Sequence, residues 1–438
     1  MKRNIDDLAL FGGREAFLQT LHVGRPGAVD RARFFDRLSW ALDNQWLTNQ
    51  GPLTREFEDR IADRVGVRHC LATCNATVAL QLLMRATELT GEVIVPSMTF
   101  AATAHAAQWL GLRPVFCDLD PRTGCLDPER VRAAITPRPS AIVGVHLFGR
   151  PCAVEELQRI ADEHTIPLFF DAAHAFGCTA KGRPIGGFGT AEVFSFHATK
   201  VVNSFEGGAI VTDDDGLAAR VRALHNFGFG LVADNPGGGT NAKMSEASAA
   251  MGLTSLDAFE QVVAHNQRTY ELYRAELARL PGLQTITFDP EERHNYQYVV
   301  VEIDPAVAGL HRDLLITLLR SENVVAQPYF SPPVHQQQPY RSGPRVSLPH
   351  TERLAGRVMA LPTGPTVSQE DVRRVCNIVR LAVSHGPEIT RRCQQLRSTP
   401  PRHPESRQRD DSTETDKANG TPDLRTQLVD HDLHATAR

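Results

Sequence analysis

The sequence has few lysines, and this scarcity narrows the choice of a reactive amine. Among 438 residues and 47 basic side chains only five are lysine, so the other 42 are arginine. Arginine stays protonated and cannot form an imine. Lys2 and Lys417 lie near the termini, Lys181 lies in a Lys-Gly-Arg-Pro turn and Lys243 in a polar stretch, whereas Lys200 follows an apolar, strand-like run. Lys200 is therefore the candidate for Schiff-base chemistry.

The chain also lacks the charge and the long apolar runs of other protein classes. Its formal net charge is −4, so no basic surface is predicted to attract nucleic acid or an anionic membrane. Residues 93–112 contain no charged side chain, but Pro96 and several polar residues interrupt the run, which favours a strand, a loop and a helix over a membrane span. No apolar stretch follows Met1–Asp7, so we expect no signal peptide.

The eight cysteines are scattered and form no C-x-x-C pair and no Cys/His cluster. A zinc site needs such a group of ligands, so we predict no metal. Unpaired cysteines in a large chain are typical of a reducing compartment, and we expect a cytoplasmic protein.

Residues 67–214 alternate short apolar runs with helical patterns, which predicts an α/β fold with a mostly parallel central sheet flanked by helices. Such sheets bind ligands at the carboxyl ends of their strands. The predicted strands are Val67–Thr73, Glu92–Pro96, Arg113–Asp118, Ala141–Leu147, Leu168–Asp171, Val193–Phe196 and Ala209–Thr212, and the helical stretches include Ala76–Leu89 and Val154–His164.

The rest of the chain divides by composition. A long helical stretch, Ser245–Leu280, precedes a smaller α+β unit with a strand at Tyr298–Ile303 and a helix at Arg312–Glu322. Residues 391–438 contain no Phe, Tyr, Trp or Ile, which favours disorder. We therefore predict four parts: an N-terminal arm (1–40), a large ligand-binding domain (41–265), a small C-terminal domain (266–388) and a disordered tail (389–438).

Two predicted strand ends carry complementary chemistry. Asp171 ends the run Pro167-Leu-Phe-Phe-Asp171, and Lys200 follows a later strand. Pyridoxal phosphate (PLP) needs an amine for its aldehyde and an anion for its ring nitrogen, and this pair supplies both. The alternatives are a structural salt bridge between Asp171 and an arginine and, for the nearby His174, a core histidine bonded to backbone.

The segment Asn75-Ala76-Thr77 stands between a predicted strand and a helix, where free backbone N–H groups suit a phosphate. A plain helix cap by Asn75 is the alternative. Ser195 could add a hydroxyl to the same phosphate, or it could be a buried serine bonded to backbone.

Phe100 and Asn241 are two further candidates for ligand contact. Phe100 follows the Glu92–Pro96 strand, where an aromatic ring could stack on a planar cofactor or simply belong to the core. Asn241 follows three glycines and could reach a ligand or satisfy a turn.

Several segments between residues 40 and 385 resemble the nucleotide-sugar aminotransferase family, also called the DegT family. The resemblance implies a fold-type I PLP-dependent transferase with a smaller C-terminal domain. The matching segments are Gly51–Glu58, Asn75–Leu80, Pro96–Phe100, Val145–Gly149, Asp171–His174, Phe194–Lys200, Glu206–Gly208, Asn241–Glu246 and Leu361–Pro362.

The resemblance also implies a role for each candidate. Lys200 would form the Schiff base, and Asp171 would keep the pyridine nitrogen protonated. His174 would lie near the ring and Phe100 would stack on it. The phosphate would be bound by Ala76, Thr77, Ser195 and by Asn241 from the partner subunit of a homodimer.

Two positions depart from the family pattern. Ala76 stands where the family commonly has Gly, and Phe205 stands where a Gly precedes Glu-Gly-Gly. An alanine tolerates the conformation of a helix start, so phosphate binding through backbone N–H groups is retained. Phe205 is expected to reshape the sugar side of the pocket.

Within the family, the resemblance is nearest to the 4-aminotransferases of TDP-desosamine biosynthesis in macrolide-producing bacteria. This implies L-glutamate as amino donor and TDP-4-keto-6-deoxyglucose as acceptor. A 3-keto sugar aminotransferase remains open. A PLP-dependent sugar dehydratase has a histidine in place of the lysine, so Lys200 argues against it. A non-catalytic sugar-binding regulator would not need Lys200, Asp171 and Ser195 together.

Overall fold

The computed structural model describes residues 1–26, 29–229 and 238–398. The strands are β1 (Leu21–His22), β2 (His69–Thr73), β3 (Glu92–Pro96), β4 (Arg113–Cys117), β5 (Pro139–Val145), β6 (Leu168–Asp171), β7 (Thr179–Ala180), β8 (Arg183–Pro184), β9 (Ala191–Ser195), β10 (Gly208–Thr212), β11 (Leu283–Thr285), β12 (Val299–Ile303), β13 (Val324–Val325) and β14 (Val358–Leu361).

The helices alternate with these strands along much of the chain. They are α1 (Arg31–Asp43), α2 (Pro52–Val65), α3 (Ala76–Ala86), α4 (Ala102–Trp109), α5 (Pro128–Ala134), α6 (Val154–His164), α7 (Asp215–Leu224), α8 (Glu246–Asp257), α9 (Phe259–Leu277), α10 (Pro305–Ala308), α11 (Arg312–Ser321), α12 (Pro349–Arg357), α13 (Gln369–Ser384) and α14 (Gly386–Ser398).

A seven-stranded sheet forms the centre of the large domain, in the order β2-β10-β9-β6-β5-β3-β4. The pairs β3–β4, β3–β5, β5–β6 and β6–β9 are parallel, whereas β10 runs antiparallel to both β9 and β2. The predicted α/β class with a mostly parallel, helix-flanked sheet is therefore confirmed. Since β2 and β9 run in the same direction, their carboxyl ends lie at the same edge as those of β3, β5 and β6.

Both faces of the central sheet are buried. Phe169 and Phe170, neighbours on β6, belong to different apolar clusters, as expected for side chains that alternate across a strand. Phe170 packs in one cluster with Phe57 of α2, and Phe169 packs in the other with Leu83 of α3. Helices on both sides therefore hold the sheet and the loops at its edge in place.

The small domain has its own core around the antiparallel sheet β11-β12-β14. Leu8 and Phe17 from the N-terminal segment are buried in this core, and β1 pairs with β13. Helix α9 runs through the predicted boundary at residues 265 and 266, with Val263 in the large-domain core and Tyr273 in the small-domain core. The first part of the predicted N-terminal arm thus packs against the small domain, whereas α1 packs against α8 of the large domain. Helix α9 belongs to both domains.

The prediction of a disordered tail from residue 389 is wrong for residues 389–398. Helix α14 extends to Ser398, and Ile389 and Cys393 are buried in the small-domain core. The physical reason is that two apolar side chains four residues apart lie on one face of a helix, so the absence of aromatics did not prevent burial. Residues 399–438 lie outside the described residues.

No helix in the described ranges is long and apolar enough to span a membrane. The uncharged run at 93–112 instead contributes to β3, the loop that follows it, and α4.

Replacing Ile389 should show whether α14 is part of the fold. Ile389 is fully buried, so Ile389→Ala should lower the free energy of unfolding by about 2–4 kcal/mol. Leu396→Ala, at an exposed position of the same helix, is the matched control and should change it by less than about 1 kcal/mol. Urea denaturation measures both, and equal, small effects would show that α14 does not dock.

Candidate active site

Lys200 lies in the turn that follows β9, at the edge where the parallel strands end. Its backbone N–H donates to the carbonyl of His197 at 2.9 Å, and its Nζ lies 3.3 Å from the hydroxyl oxygen of Tyr298. Burial lowers the pKa of Lys200 to about 8, although the negative charge of Asp171 opposes this shift. A larger fraction of Lys200 is therefore a free amine near neutral pH than for an ordinary lysine, as a nucleophile or base requires.

Asp171, the last residue of β6, is a buried carboxylate. Its Oδ2 accepts a hydrogen bond from the hydroxyl of Thr103 at 2.8 Å, and its Oδ1 accepts one from the N–H of Ala173 at 3.1 Å. In the described part of the chain, no arginine, lysine or histidine nitrogen lies within 4.0 Å of it, so the alternative of a structural salt bridge is not supported. Burial raises the pKa of Asp171. A cationic ligand atom would supply the missing partner.

His174 lies against an aromatic wall beside Lys200 and Asp171. Its ring is nearly parallel to those of Phe148 (6.1 Å, 4°) and Phe330 (5.9 Å, 9°) and meets Tyr298 edge-on at 4.7 Å. Burial and the nearby Lys200 hold the pKa of His174 well below its usual value. Nδ1 accepts from the N–H of Phe148 at 3.2 Å, so the neutral ring carries its proton on Nε2. The alternative of a histidine bonded to backbone is therefore correct for Nδ1, whereas Nε2–H is available to donate a hydrogen bond to a ligand.

The first turn of α3 fits a phosphate. Asn75 caps the helix by accepting from the N–H of Val78 at 2.9 Å, so the cap interpretation is confirmed. The cap does not engage the N–H groups of Ala76 and Thr77, the first two residues of the helix, which remain available as donors. Ser195 accepts only a long contact from the N–H of His197, at 3.4 Å.

Gly208 brings these phosphate-binding candidates together. It begins β10 and pairs with Ser195 on one side and with Thr73 on the other. An added Cβ at Gly208 would lie 2.6 Å from the backbone nitrogen of Ala76, so only glycine allows β10 to approach α3 this closely. The antiparallel strand thus places the Ser195 hydroxyl and the start of α3 on either side of one glycine.

Phe100 and Phe205 are exposed aromatics near this edge. Phe100 is 63% exposed, and its ring lies 6.2 Å from that of Phe330, so the core alternative is wrong. Phe205 has a φ of 63°, an unusual conformation for a bulky residue, and its ring contacts that of Phe34 at 5.7 Å. Phe205 therefore does project from the segment between Lys200 and Gly208.

Asn241 is exposed and forms an isolated β-bridge with Asn226 of its own chain. The next residue, Ala242, accepts at its carbonyl a hydrogen bond of 2.7 Å from the N–H of Cys74, directly before the α3 cap. Asn241 thus lies near the phosphate-binding candidates of its own chain. Its predicted contribution to a partner's site stays a prediction, and Gly237, the first of the three glycines that precede it, lies outside the described residues.

Three residues of the site were not singled out from the sequence: Thr103, Tyr298 and Phe330. In the sequence, Thr103 is one of the polar residues that interrupt the uncharged run at 93–112, and Tyr298 is the first residue of a predicted strand. Phe330 and Tyr298 come from the small domain, so their contact with His174 depends on domain packing. Local pattern carries no signal for such contacts.

These residues fit PLP. Asp171 is a buried anion with no ion-pair partner within 4.0 Å among the described residues, Lys200 is an amine with a lowered pKa, and α3 offers free N–H groups beside Ser195. Asp171 would serve the ring nitrogen of the cofactor, Lys200 its aldehyde, and the start of α3 with Ser195 its phosphate.

Comparison with known proteins agrees with this site. The sequence model of the DegT/DnrJ/EryC1/StrS aminotransferase family matches residues 29–380. A dTDP-4-amino-4,6-dideoxy-D-glucose transaminase of Escherichia coli is 35% identical over 369 residues, which cover 82% of this chain and 98% of that protein.

Two solved structures are similar across nearly their whole length. DesI, determined in the presence of its TDP-sugar product, is 60% identical with a TM-score of 0.88, and the match covers 89% of this chain and 100% of that one. DesV of S. venezuelae, in complex with a ketimine intermediate, is 31% identical with a TM-score of 0.75, over 81% and 95% of the two chains.

Fold and site together define a fold-type I, PLP-dependent aminotransferase. Within that class, the chain belongs to the DegT/DnrJ/EryC1/StrS aminotransferase family. PLP is its cofactor.

The lowered pKa of Lys200 can be measured directly. In protein stripped of PLP, competitive acetylation should label Lys200 with a midpoint near pH 8. Lys181 is the internal control, because its hydrogen bond to Glu155 raises its pKa above the ordinary value. Peptide quantification by mass spectrometry follows both lysines in one sample. Coincident midpoints would show that the site does not perturb Lys200.

Proposed function

We propose that this enzyme transfers the amino group of L-glutamate to C4 of TDP-4-keto-6-deoxyglucose. The product would be TDP-4-amino-4,6-dideoxyglucose, for a desosamine-type deoxyaminosugar of a macrolide antibiotic. The observation that carries this proposal is the 60% identity to DesI over the whole of that chain. The name of the Escherichia coli relative, a transaminase of a 4-amino-4,6-dideoxy sugar nucleotide, supports the same position of amination.

Lys200 would do the acid–base work of both half-reactions. When bound, PLP condenses with an amine and withdraws electrons from the neighbouring carbon. The Nζ of Lys200, as a free amine, would take a proton and return it. Burial lowers the pKa of Lys200 to about 8, so both protonation states are populated near neutral pH.

Asp171 and His174 would both contact the cofactor ring. The carboxylate of Asp171 is oriented by Thr103 and by the N–H of Ala173, and a protonated ring nitrogen would compensate its buried charge. His174 is kept neutral by burial, so its Nε2–H can donate to an oxygen without adding a second positive charge. Ala76, Thr77 and Ser195 would bind the phosphate.

The proposed position of amination is tested by assaying 4-keto and 3-keto TDP-sugars side by side. With L-glutamate as donor, only the 4-keto sugar should be converted, and NMR of the product should place nitrogen on C4. L-aspartate and L-alanine are comparison donors and should react more slowly. Amination at C3, or no turnover of either sugar by a PLP-loaded enzyme, would contradict the proposal. Lys200→Ala is the inactive control.

We also propose that the active unit is a homodimer with its sites at the interface, to which Asn241 contributes across subunits. A single chain exposes several large apolar side chains on and near α1 and in the loops near the site, and contiguous exposed apolar surfaces are typical of interfaces. They include Phe35, Trp40, Trp46, Phe100, Phe205, Phe227 and Phe229.

Mixing two inactive variants tests whether Asn241 acts across the interface. Lys200→Ala and Asn241→Ala subunits, each inactive alone, should regain activity after mixing and re-equilibration, because one site per heterodimer then has both residues intact. Random reassortment of equal amounts of the two variants makes half of the dimers mixed, each with one intact site of two, so about a quarter of the wild-type activity is expected.

Absence of recovery, with Asn241→Ala inactive and mixed dimers verified by native mass spectrometry, would mean that Asn241 acts within its own subunit. The hydrogen bond between Ala242 and Cys74 of one chain makes that result a real alternative.

A further inference from the structure

The hydroxyl group of Tyr298 contacts Nζ, the reactive atom of Lys200. The hydroxyl oxygen of Tyr298 lies 3.3 Å from Nζ, which is within hydrogen-bonding distance. Nζ also lies 5.8 Å from the centre of the tyrosine ring, so the amine lies beside the ring as well as near its hydroxyl. The contact joins the two domains, since Tyr298 directly precedes β12 of the small domain.

The ring of Tyr298 is fixed by packing. The residue is 6% exposed, and its ring meets His174 edge-on at 4.7 Å and Phe148 at 5.8 Å. On another side it contacts the ring of Tyr329 at 6.0 Å. A phenol confined in this way offers its oxygen at one place, which is the condition for positioning a flexible lysine chain.

The hydroxyl stays neutral over the pH range in which enzymes work. Burial raises the pKa of Tyr298 well above its ordinary value, so the group is a phenol and not a phenolate. A neutral oxygen accepts a hydrogen bond from the ammonium form of Lys200 without forming an ion pair. The hydrogen bond therefore restricts the position of Nζ, and because no ion pair forms, the ammonium can still lose its proton.

We propose that Tyr298 is a positioning residue for Lys200, whose hydroxyl holds the freed Nζ at the place from which it moves protons during transamination. The inference rests on Lys200 as the reactive lysine and does not depend on which sugar is the acceptor. The proposal gives the small domain a role in the chemistry, because Lys200 belongs to the large domain and Tyr298 belongs to the small domain.

The charges around Lys200 favour this role for a neutral group. Asp171, at the end of β6, is the anion that raises its pKa, while the neighbouring His174 is neutral. Arg25 lines the small cavity next to Lys200, together with Gln297. A second anion in place of Tyr298 would hold Lys200 protonated, whereas an apolar group would leave Nζ without a partner on this side.

Tyr298→Phe keeps the ring and removes the hydroxyl, so it separates positioning from packing. In the full-length enzyme converted to its pyridoxamine phosphate form, in which Lys200 is free, competitive acetylation should show the Lys200 midpoint shifted down by about one pH unit, because the ammonium form loses a hydrogen bond. In steady-state assays kcat should fall about tenfold or more while KM for the sugar changes less than about threefold.

Tyr329→Phe is the matched control for the titration. Its ring contacts that of Tyr298, and it is a largely buried tyrosine whose pKa burial raises to about 12, so it should leave the Lys200 midpoint unchanged. An unchanged midpoint together with an unchanged kcat in Tyr298→Phe would overturn the proposal, and so would equal midpoint shifts in both variants.

If Tyr298→Phe fails to fold by circular dichroism, 3,5-difluorotyrosine at position 298 serves instead. Its fluorinated phenol is more acidic, so ionisation beside Lys200 should raise the midpoint, and an unchanged midpoint would contradict the proposal. Since the acetylation readout needs no sugar, its result is independent of whether the proposed acceptor is right.

Discussion

The site depends on one electrostatic constraint, a buried carboxylate that forms no ion pair within 4.0 Å among the described residues and that the charge of Lys200 reaches only from farther away. Asp171 is held by a hydroxyl and a backbone N–H, which orient its oxygens without neutralising them. Leaving a charge buried in this way is costly, and burial accordingly raises its pKa. A cofactor with a protonated ring nitrogen removes this cost on binding, so the same feature that destabilises the site favours occupation by PLP.

The other groups of the site complement that carboxylate. Burial lowers the pKa of Lys200 to about 8, so part of it is a free amine near neutral pH, and His174 is neutral. The phosphate candidates are backbone N–H groups and a hydroxyl, with Gly208 allowing β10 to pass close to α3. The architecture explains the grouping, because parallel strands that share a direction place Asp171 and Ser195 at one edge, and the antiparallel β10 places α3 beside them.

Much of the large domain could be predicted from the sequence because its strands are short apolar runs bounded by polar turns. The bounds of β3, β6 and α6 agree with the predicted ones. Asp171 is the last residue of β6, and Lys200 lies in the turn after β9, so both could be singled out from the apolar runs that precede them. The contribution of Tyr298 and Phe330 could not be predicted, since it arises only when the small domain packs on the large one. Helix α14 was missed because composition alone does not reveal that Ile389 and Cys393 share a buried face.

The central claim is that Lys200 is the residue that binds the PLP aldehyde. Borohydride reduction of the purified, PLP-loaded enzyme followed by peptide mapping tests it most directly, because the reduced linkage survives digestion. The account predicts the pyridoxyl group on the peptide that contains Lys200 and on no other lysine. Recovery of the group on Lys181 or Lys243, with Lys200 unmodified, would contradict it.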